Sequence, residues 1–82
     1  MELTVKVNMK SAPNTRMAAS IAAKMSTYSA QVLLRRGDMT VNAKSLMGLL
    51  SLGVKDGMGV TIIASGEDEA IAVCAMADML TT

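Results

Sequence analysis

Four short segments of the chain have patterns of apolar and polar residues typical of strands, and the first alternates strictly, as a strand with one buried face does. The clearest case is the first segment, where Leu3, Val5 and Val7 share one face and the residues between them are polar. The pair Gly37-Asp38 separates the second segment from the third and favours a hairpin turn. The predicted strands are residues 2–8, 30–35, 39–42 and 59–65.

Helical periodicity is found in the three intervals between or after these strands. The last helix is predicted from residue 67 to about 80, with three acidic residues, 67–69, in its first turn, where the helix dipole favours them. The middle helix is short, residues 46–52, with Ser45 at the N-cap and Gly53 as the stop. A first helix from residue 15 to about 28 is predicted by apolar residues three and four positions apart: Ala18, Ile21, Ala22 and Met25.

The element order β-α-β-β-α-β-α predicts an α+β fold. We expect an open-faced sandwich, in which three helices cover one face of a four-stranded antiparallel sheet. The 82 residues suffice for one hydrophobic core, so we expect a single domain over residues 1–82.

Composition and charge limit the partners of such a domain. The formal net charge is +1, which gives no strong field to recruit nucleic acid or a membrane surface. The sequence contains no recognisable signal peptide and no apolar run of membrane-spanning length, so we expect a cytoplasmic protein. Nine methionines take up volume that aromatic residues usually fill, since phenylalanine and tryptophan are absent.

Residue types exclude several kinds of chemistry. The chain has no histidine, so it cannot perform histidine-based acid–base or nucleophilic catalysis. Cys74 is the single cysteine, and we interpret it as a structural thiol rather than a metal ligand or a disulfide partner. No glycine-rich phosphate loop is present. We therefore expect no enzyme activity, no metal and no cofactor.

Two segments are candidates for binding. The stretch Asn14-Thr15-Arg16 begins the first helix, where free backbone N–H groups and a guanidinium can hold a phosphate or a carboxylate. The alternative is that Asn14 or Thr15 only caps the helix and Arg16 is solvated.

The second candidate is the short helix after Ser45. Apolar residues occupy so many of its positions that Leu46, Met47 and Leu50 cannot all be buried against one sheet, which predicts an exposed contact patch. A phosphate on Ser45 would add roughly two negative charges beside that patch. The alternative is a neutral N-cap serine with no regulatory role.

A family resemblance is carried by the second half of the chain. The segments VNAKSLMGLLSLGV (41–54), VTIIA (60–64) and GEDEA (66–70) resemble HPr, the histidine-containing phosphocarrier of the bacterial phosphotransferase system. The predicted element order agrees with the fold of that family. The KSLMGLLSL stretch is its most specific feature, and the family's regulatory serine corresponds to Ser45.

The first half departs from the carrier pattern. Aligned on Arg16, the chain has Asn14 where carriers have the phosphorylated histidine, and Met17 where they have proline. Asparagine has no basic nucleophilic nitrogen, so the carrier reaction should be absent. The chain therefore looks most like the Crh-like members of the family, which lack that histidine and keep the serine.

The resemblance implies a regulatory protein of carbon catabolite repression. HPr kinase/phosphorylase would phosphorylate Ser45, and the product would bind a LacI-type catabolite repressor or another phosphotransferase-system protein. The residues that it implies for partner binding are Arg16, Lys24, Lys44, Leu46, Met47 and Leu50.

Two alternatives stay open at this stage. The chain could be an unphosphorylated scaffold, decoy or oligomerisation module that uses the HPr surface, and Crh-like relatives make a homodimer by strand exchange conceivable. It could also be a phosphocarrier with a displaced phosphoryl acceptor.

Overall fold

The computed structural model describes residues 1–8, 15–53 and 57–81, and it contains all seven predicted elements. The helices lie on one face of the sheet, as predicted. The elements are β1 (Glu2–Lys6), α1 (Thr15–Met25), β2 (Gln31–Arg36), β3 (Met39–Asn42), α2 (Leu46–Leu52), β4 (Gly59–Ser65) and α3 (Glu69–Leu80).

The four strands form one antiparallel sheet in the order β1-β4-β2-β3. Only β2 and β3 are joined by a tight turn, whereas β1 and β2 both pair with β4, which comes much later in the chain. On the open face, the hydroxyls of Thr4 and Thr61 are hydrogen-bonded at 3.0 Å across the β1–β4 pair. This polar contact suits a sheet face that no helix covers.

The core lies between the sheet and the three helices, and every buried residue in the described ranges is apolar. Met25 and Met76 are fully buried beside Leu34, Ile62 and other aliphatic side chains. Flexible thioether side chains fill irregular space well, so methionine does replace aromatic residues in this core.

Three predicted boundaries and one predicted burial were wrong. Strand β1 ends at Lys6 rather than at residue 8. Helix α1 ends at Met25 rather than near residue 28, because the hydroxyls of Ser26 and Thr27 donate to backbone carbonyls of the last turn. Strand β2 is shifted by one residue, to Gln31–Arg36. Leu3 is 41 % exposed, because β1 lies at the edge of the sheet.

The start of α3 also differs from the prediction. Only Glu69 of the three acidic residues lies in the first helical turn, and Asp68 occupies the N-cap position, but its side chain accepts no capping hydrogen bond. The Asp68 carboxylate binds the chain just before β2 instead. The adjacent Gly66 has φ 149° and lies so close to Ala30 that a Cβ built on it would be 2.6 Å from the Ala30 Cα.

Candidate functional site

Ser45 begins helix α2 with the geometry of an N-cap. The side chain of Asn42 accepts a hydrogen bond from the Lys44 backbone N–H at 2.8 Å, and its carbonyl accepts one from the Ser45 N–H at 3.0 Å. These bonds turn the chain from β3 into the helix. The Ser45 hydroxyl oxygen then accepts the Gly48 N–H at 3.2 Å, and Gly53 ends the helix with φ 65°. Both helix boundaries are where the sequence predicts them.

The residues that follow Ser45 form a small apolar surface. Met47 is 71 % exposed and Leu50 is 40 % exposed, while Leu46 is half-buried. Leu49 and Leu52 point into the core. The predicted exposure is therefore confirmed, and we call Leu46, Met47 and Leu50 the α2 patch.

Close packing fixes this helix against the sheet edge. A Cβ built on Gly48 would lie 3.2 Å from the Val41 Cβ and 3.3 Å from the Asn42 carbonyl oxygen. Glycine inside a helix costs about 1 kcal/mol relative to alanine, but here it lets α2 approach β3 closely. The α2 patch is consequently held on the side of the helix that faces away from the sheet.

Lys44 has an intramolecular partner. Its half-buried side chain extends from the residue before Ser45, and its Nζ donates a hydrogen bond to the Tyr28 carbonyl oxygen at 2.8 Å. Lys24, in the last turn of α1, has its Nζ 5.7 Å from the centroid of the Tyr28 ring, within the range of a cation–π contact. Both lysines therefore contact Tyr28, a role that no sequence signal indicates.

Asp68 also binds the connection between α1 and β2. One carboxylate oxygen accepts the Ser29 N–H at 2.9 Å and the other accepts the Ala30 N–H at 2.8 Å. The Ser29 bond, with the Ala30 bond and the nearby Lys44 ammonium, lowers the pKa of Asp68 despite some desolvation. No sequence signal connects Asp68 with residues almost forty positions earlier, so this role was missed.

The first candidate segment is only partly described. Asn14 lies outside the described residues, and so does the predicted anion site at the start of α1. Arg16 is exposed in the first turn of α1 and makes no hydrogen bond or ion pair with the described residues. Helix α1, which carries the basic residues Arg16 and Lys24, packs against helix α2.

Other candidate chemistry is sparse in the described ranges. They contain no group of three or more histidine, cysteine, aspartate or glutamate residues placed to hold a metal ion. Cys74 has a free, exposed thiol on α3. None of the helices described here is both long and apolar enough to cross a membrane.

The chain is thus an open-faced sandwich in which a capped serine precedes an exposed apolar patch. Comparison with known proteins places it among the components of the bacterial phosphotransferase system. The family model described as the PTS HPr component phosphorylation site matches residues 1–82, and the chain belongs to this HPr family.

The relatives include both carriers and Crh-like proteins. The HPr-like protein Crh of Bacillus subtilis is 43% identical over 65 residues, which are 79% of this chain and 76% of that protein. The crystal structure of the phosphocarrier protein HPr from Bacillus anthracis superposes with a TM-score of 0.92 at 31% identity, covering 98% of this chain and 95% of the other.

A crystal structure of Bacillus subtilis Crh, described as a swapped-domain dimer, also matches. Its TM-score is 0.79 at 39% identity, covering 93% of this chain and 87% of that chain. The antiparallel sheet with three helices predicted from the sequence is thus the fold of these relatives.

Proposed function

We propose that this chain is a regulatory HPr-like protein of the phosphotransferase system and carbon catabolite repression, switched by phosphorylation of Ser45. HPr kinase/phosphorylase is the proposed phosphoryl-transferring enzyme. A LacI-type repressor or another phosphotransferase-system protein is the proposed partner. Membership of the HPr family supports a cytoplasmic location.

The observation that carries this proposal is the position of the Ser45 hydroxyl. It lies at the N-cap of α2, two residues before the exposed Met47 and five residues before the exposed Leu50. A phosphoryl group there brings about two negative charges next to an apolar surface. A partner with a basic group beside an apolar pocket would therefore distinguish the phosphorylated form from the unphosphorylated one.

A carrier role is not proposed, because the chain contains no histidine. Phosphoryl transfer through a phosphohistidine needs a nucleophilic imidazole, and the amide of Asn14 is not a substitute. Arg16, Lys24 and Lys44 are proposed as partner-binding residues. For Lys44 to bind a partner, its ammonium must leave the Tyr28 carbonyl oxygen or contact that oxygen and the partner at the same time.

A second candidate function is a constitutive scaffold or oligomerisation module. The Ser45 hydroxyl already accepts the Gly48 N–H, and this is sufficient reason for a serine at the N-cap. The relative described as a swapped-domain dimer favours self-association as the activity of such a module. In this case the HPr surface would bind its partner whether or not Ser45 is modified.

Intact-mass measurement after incubation with ATP and HPr kinase/phosphorylase tests the proposal. We expect one added phosphoryl group on the native chain and none on Ser45→Ala. Ser51→Ala is the matched control, since Ser51 is an exposed serine of the same helix and its removal should leave the modification intact. Ser45→Ala should cost about 1 kcal/mol of stability through the lost cap, so its folding is checked by circular dichroism.

Partner binding then separates the two candidates. Under the regulatory function, only the phosphorylated chain binds the repressor tightly in a pull-down or calorimetric titration. Equal binding by native protein, Ser45→Ala and Ser45→Asp would favour the scaffold. A chain that takes up no phosphate from the kinase would contradict the regulatory function outright.

A further inference from the structure

The methionines of the described chain differ widely in exposure. Met25 and Met76 are fully buried, and Met17, Met58 and Met79 are half-buried. The side chains at the surface are Met1 at 53%, Met39 at 37% and Met47 at 71% exposed. Met47 is thus the most exposed of them, and it lies two residues after Ser45.

The surroundings of Met47 leave most of this residue open to solvent. It projects from the outer side of α2, with Leu50 one helical turn further on. None of the described residues donates a hydrogen bond to the Met47 sulfur, whereas the Met58 sulfur accepts one from Arg36 at 3.8 Å. An unshielded thioether is the form of methionine that oxidants attack most readily.

We propose that Met47 is an oxidation site for peroxides and that its sulfoxide disables the α2 patch. The step is a two-electron oxygen transfer. The sulfur attacks one oxygen of hydrogen peroxide, a sulfur–oxygen bond forms as the oxygen–oxygen bond breaks, and water leaves. Sulfur is oxidised, peroxide is reduced, and methionine sulfoxide reductases can reverse the change.

The consequence for binding follows from the polarity of the product and rests on the proposed function. The α2 patch is apolar, so a partner that covers it releases water from Met47 and Leu50. A sulfoxide oxygen would have to be desolvated at the same place without a matching donor. We expect oxidation to weaken such docking by about tenfold or more, with the phosphorylation state of Ser45 unchanged.

The chemical part is tested by limited oxidation of the folded chain with hydrogen peroxide, followed by peptide mapping. Among the methionines that the structure describes, Met47 should form sulfoxide first, and Met25 and Met76 last. Met47→Leu should remove the fastest-forming of these sulfoxides, while Met39→Leu, at an exposed methionine outside the patch, should retain it. Oxidation of Met47 no faster than that of the half-buried Met17, Met58 and Met79 would overturn the assignment.

The binding part uses HPr kinase/phosphorylase as the probe. Oxidised native chain and Met47→Gln, a polar mimic, should dock more weakly than the unoxidised native chain by about tenfold or more, whereas Met47→Leu should dock equally before and after oxidation. Equal docking of the native chain before and after oxidation would overturn the proposed effect of the Met47 sulfoxide. If the unoxidised chain takes up no phosphate, the proposed function fails, while the peptide map still decides whether Met47 is the oxidation site.

Discussion

At the scale of single residues, Gly66 shows how one missing side chain sets a distance between two segments. Its φ of 149° is unfavourable for residues with a side chain, and the Ala30 backbone occupies the place where a Cβ would lie. The contact brings the turn before α3 against the start of β2. Gly66 thereby places Asp68 within reach of the two N–H groups that it binds.

We therefore expect Gly66→Ala to be strongly destabilising. Overpacking against backbone typically costs about 1 to 3 kcal/mol, and the unfavourable φ adds roughly 1 kcal/mol or more. Urea unfolding monitored by circular dichroism measures the change in the free energy of unfolding.

Gly37→Ala is the matched control for this substitution. Gly37 also has a positive φ, 58°, but nothing lies within 4 Å of the position of its Cβ. Gly37→Ala should lower the free energy of unfolding by only about 1 kcal/mol, because only the positive φ is unfavourable for alanine there. Equal losses in the two variants would show that the contact with Ala30 is unimportant.

At the scale of elements, the connection between α1 and β2 forms hydrogen bonds with residues at the starts of both α2 and α3. Lys44, before α2, binds the Tyr28 carbonyl, and Asp68, before α3, binds the N–H groups of Ser29 and Ala30. These three hydrogen bonds are made to the backbone of three consecutive residues, 28–30, which belong to neither a helix nor a strand. The start of α2, where Ser45 lies, is thus fixed to the rest of the fold by Lys44.

The Asp68 contacts predict a dependence of stability on pH. The pKa of Asp68 is lowered in the folded chain, chiefly by the Ser29 N–H, from an ordinary value of 3.8. The stabilisation is then complete above the ordinary carboxyl range and is lost as pH falls through and below about 4. Glu69 acts in the same direction, because the N-terminal ammonium lowers its pKa.

Urea midpoints measured between pH 6 and pH 2 check this expectation. Asp68→Asn should lower the midpoint near neutral pH and flatten its fall in acid, because an amide keeps one acceptor and does not lose a charge in this range. Asp38→Asn, at an exposed carboxyl of the β2–β3 turn, should change the profile little. A midpoint that falls as steeply in Asp68→Asn as in the native chain would contradict the assigned role.

Local chemistry explains which elements could be predicted from the sequence. Helix α2 has its bounds where expected, because Ser45 and Gly53 act on their own backbone neighbours. The start of α3 was wrong because Asp68 binds residues that are distant in the chain, and no helix-start rule includes such a partner. Leu3 follows the strand pattern, yet its exposure depends on β1 being an edge strand, which alternation does not encode.

In the candidate site, too, features set by neighbouring residues could be predicted and features set by distant contacts could not. That some of Leu46, Met47 and Leu50 are exposed could be predicted, because a seven-residue helix with so many apolar positions cannot bury them all. The bond from Lys44 to the Tyr28 carbonyl could not, because it depends on how the start of α2 lies against the α1–β2 connection.

At the scale of the whole molecule, the position of β1 is the feature with most bearing on assembly. It is an edge strand that pairs only with β4 and lies beside α3. An identical strand from a second chain would make the same contacts, which is the condition for exchange between protomers.

We accordingly expect a swapped dimer of this chain in slow exchange with the monomer. Light scattering coupled to size exclusion should show species of one and two chains, with the dimer fraction rising with the concentration at which the protein is refolded. Ser45→Ala should give the same distribution, since Ser45 takes no part in the β1–β4 pairing. A single one-chain species at every refolding concentration would exclude exchange of β1.

The strand order also affects how the chain folds while it is being synthesised. The β2–β3 hairpin can close as soon as it emerges, but β1 must wait for β4, whose paired residues come more than fifty positions later. At roughly 5 to 20 residues per second this wait lasts several seconds. Throughout that time the N-terminal strand has an unsatisfied edge, so neighbouring nascent chains on one messenger RNA are the population in which exchange of β1 would begin.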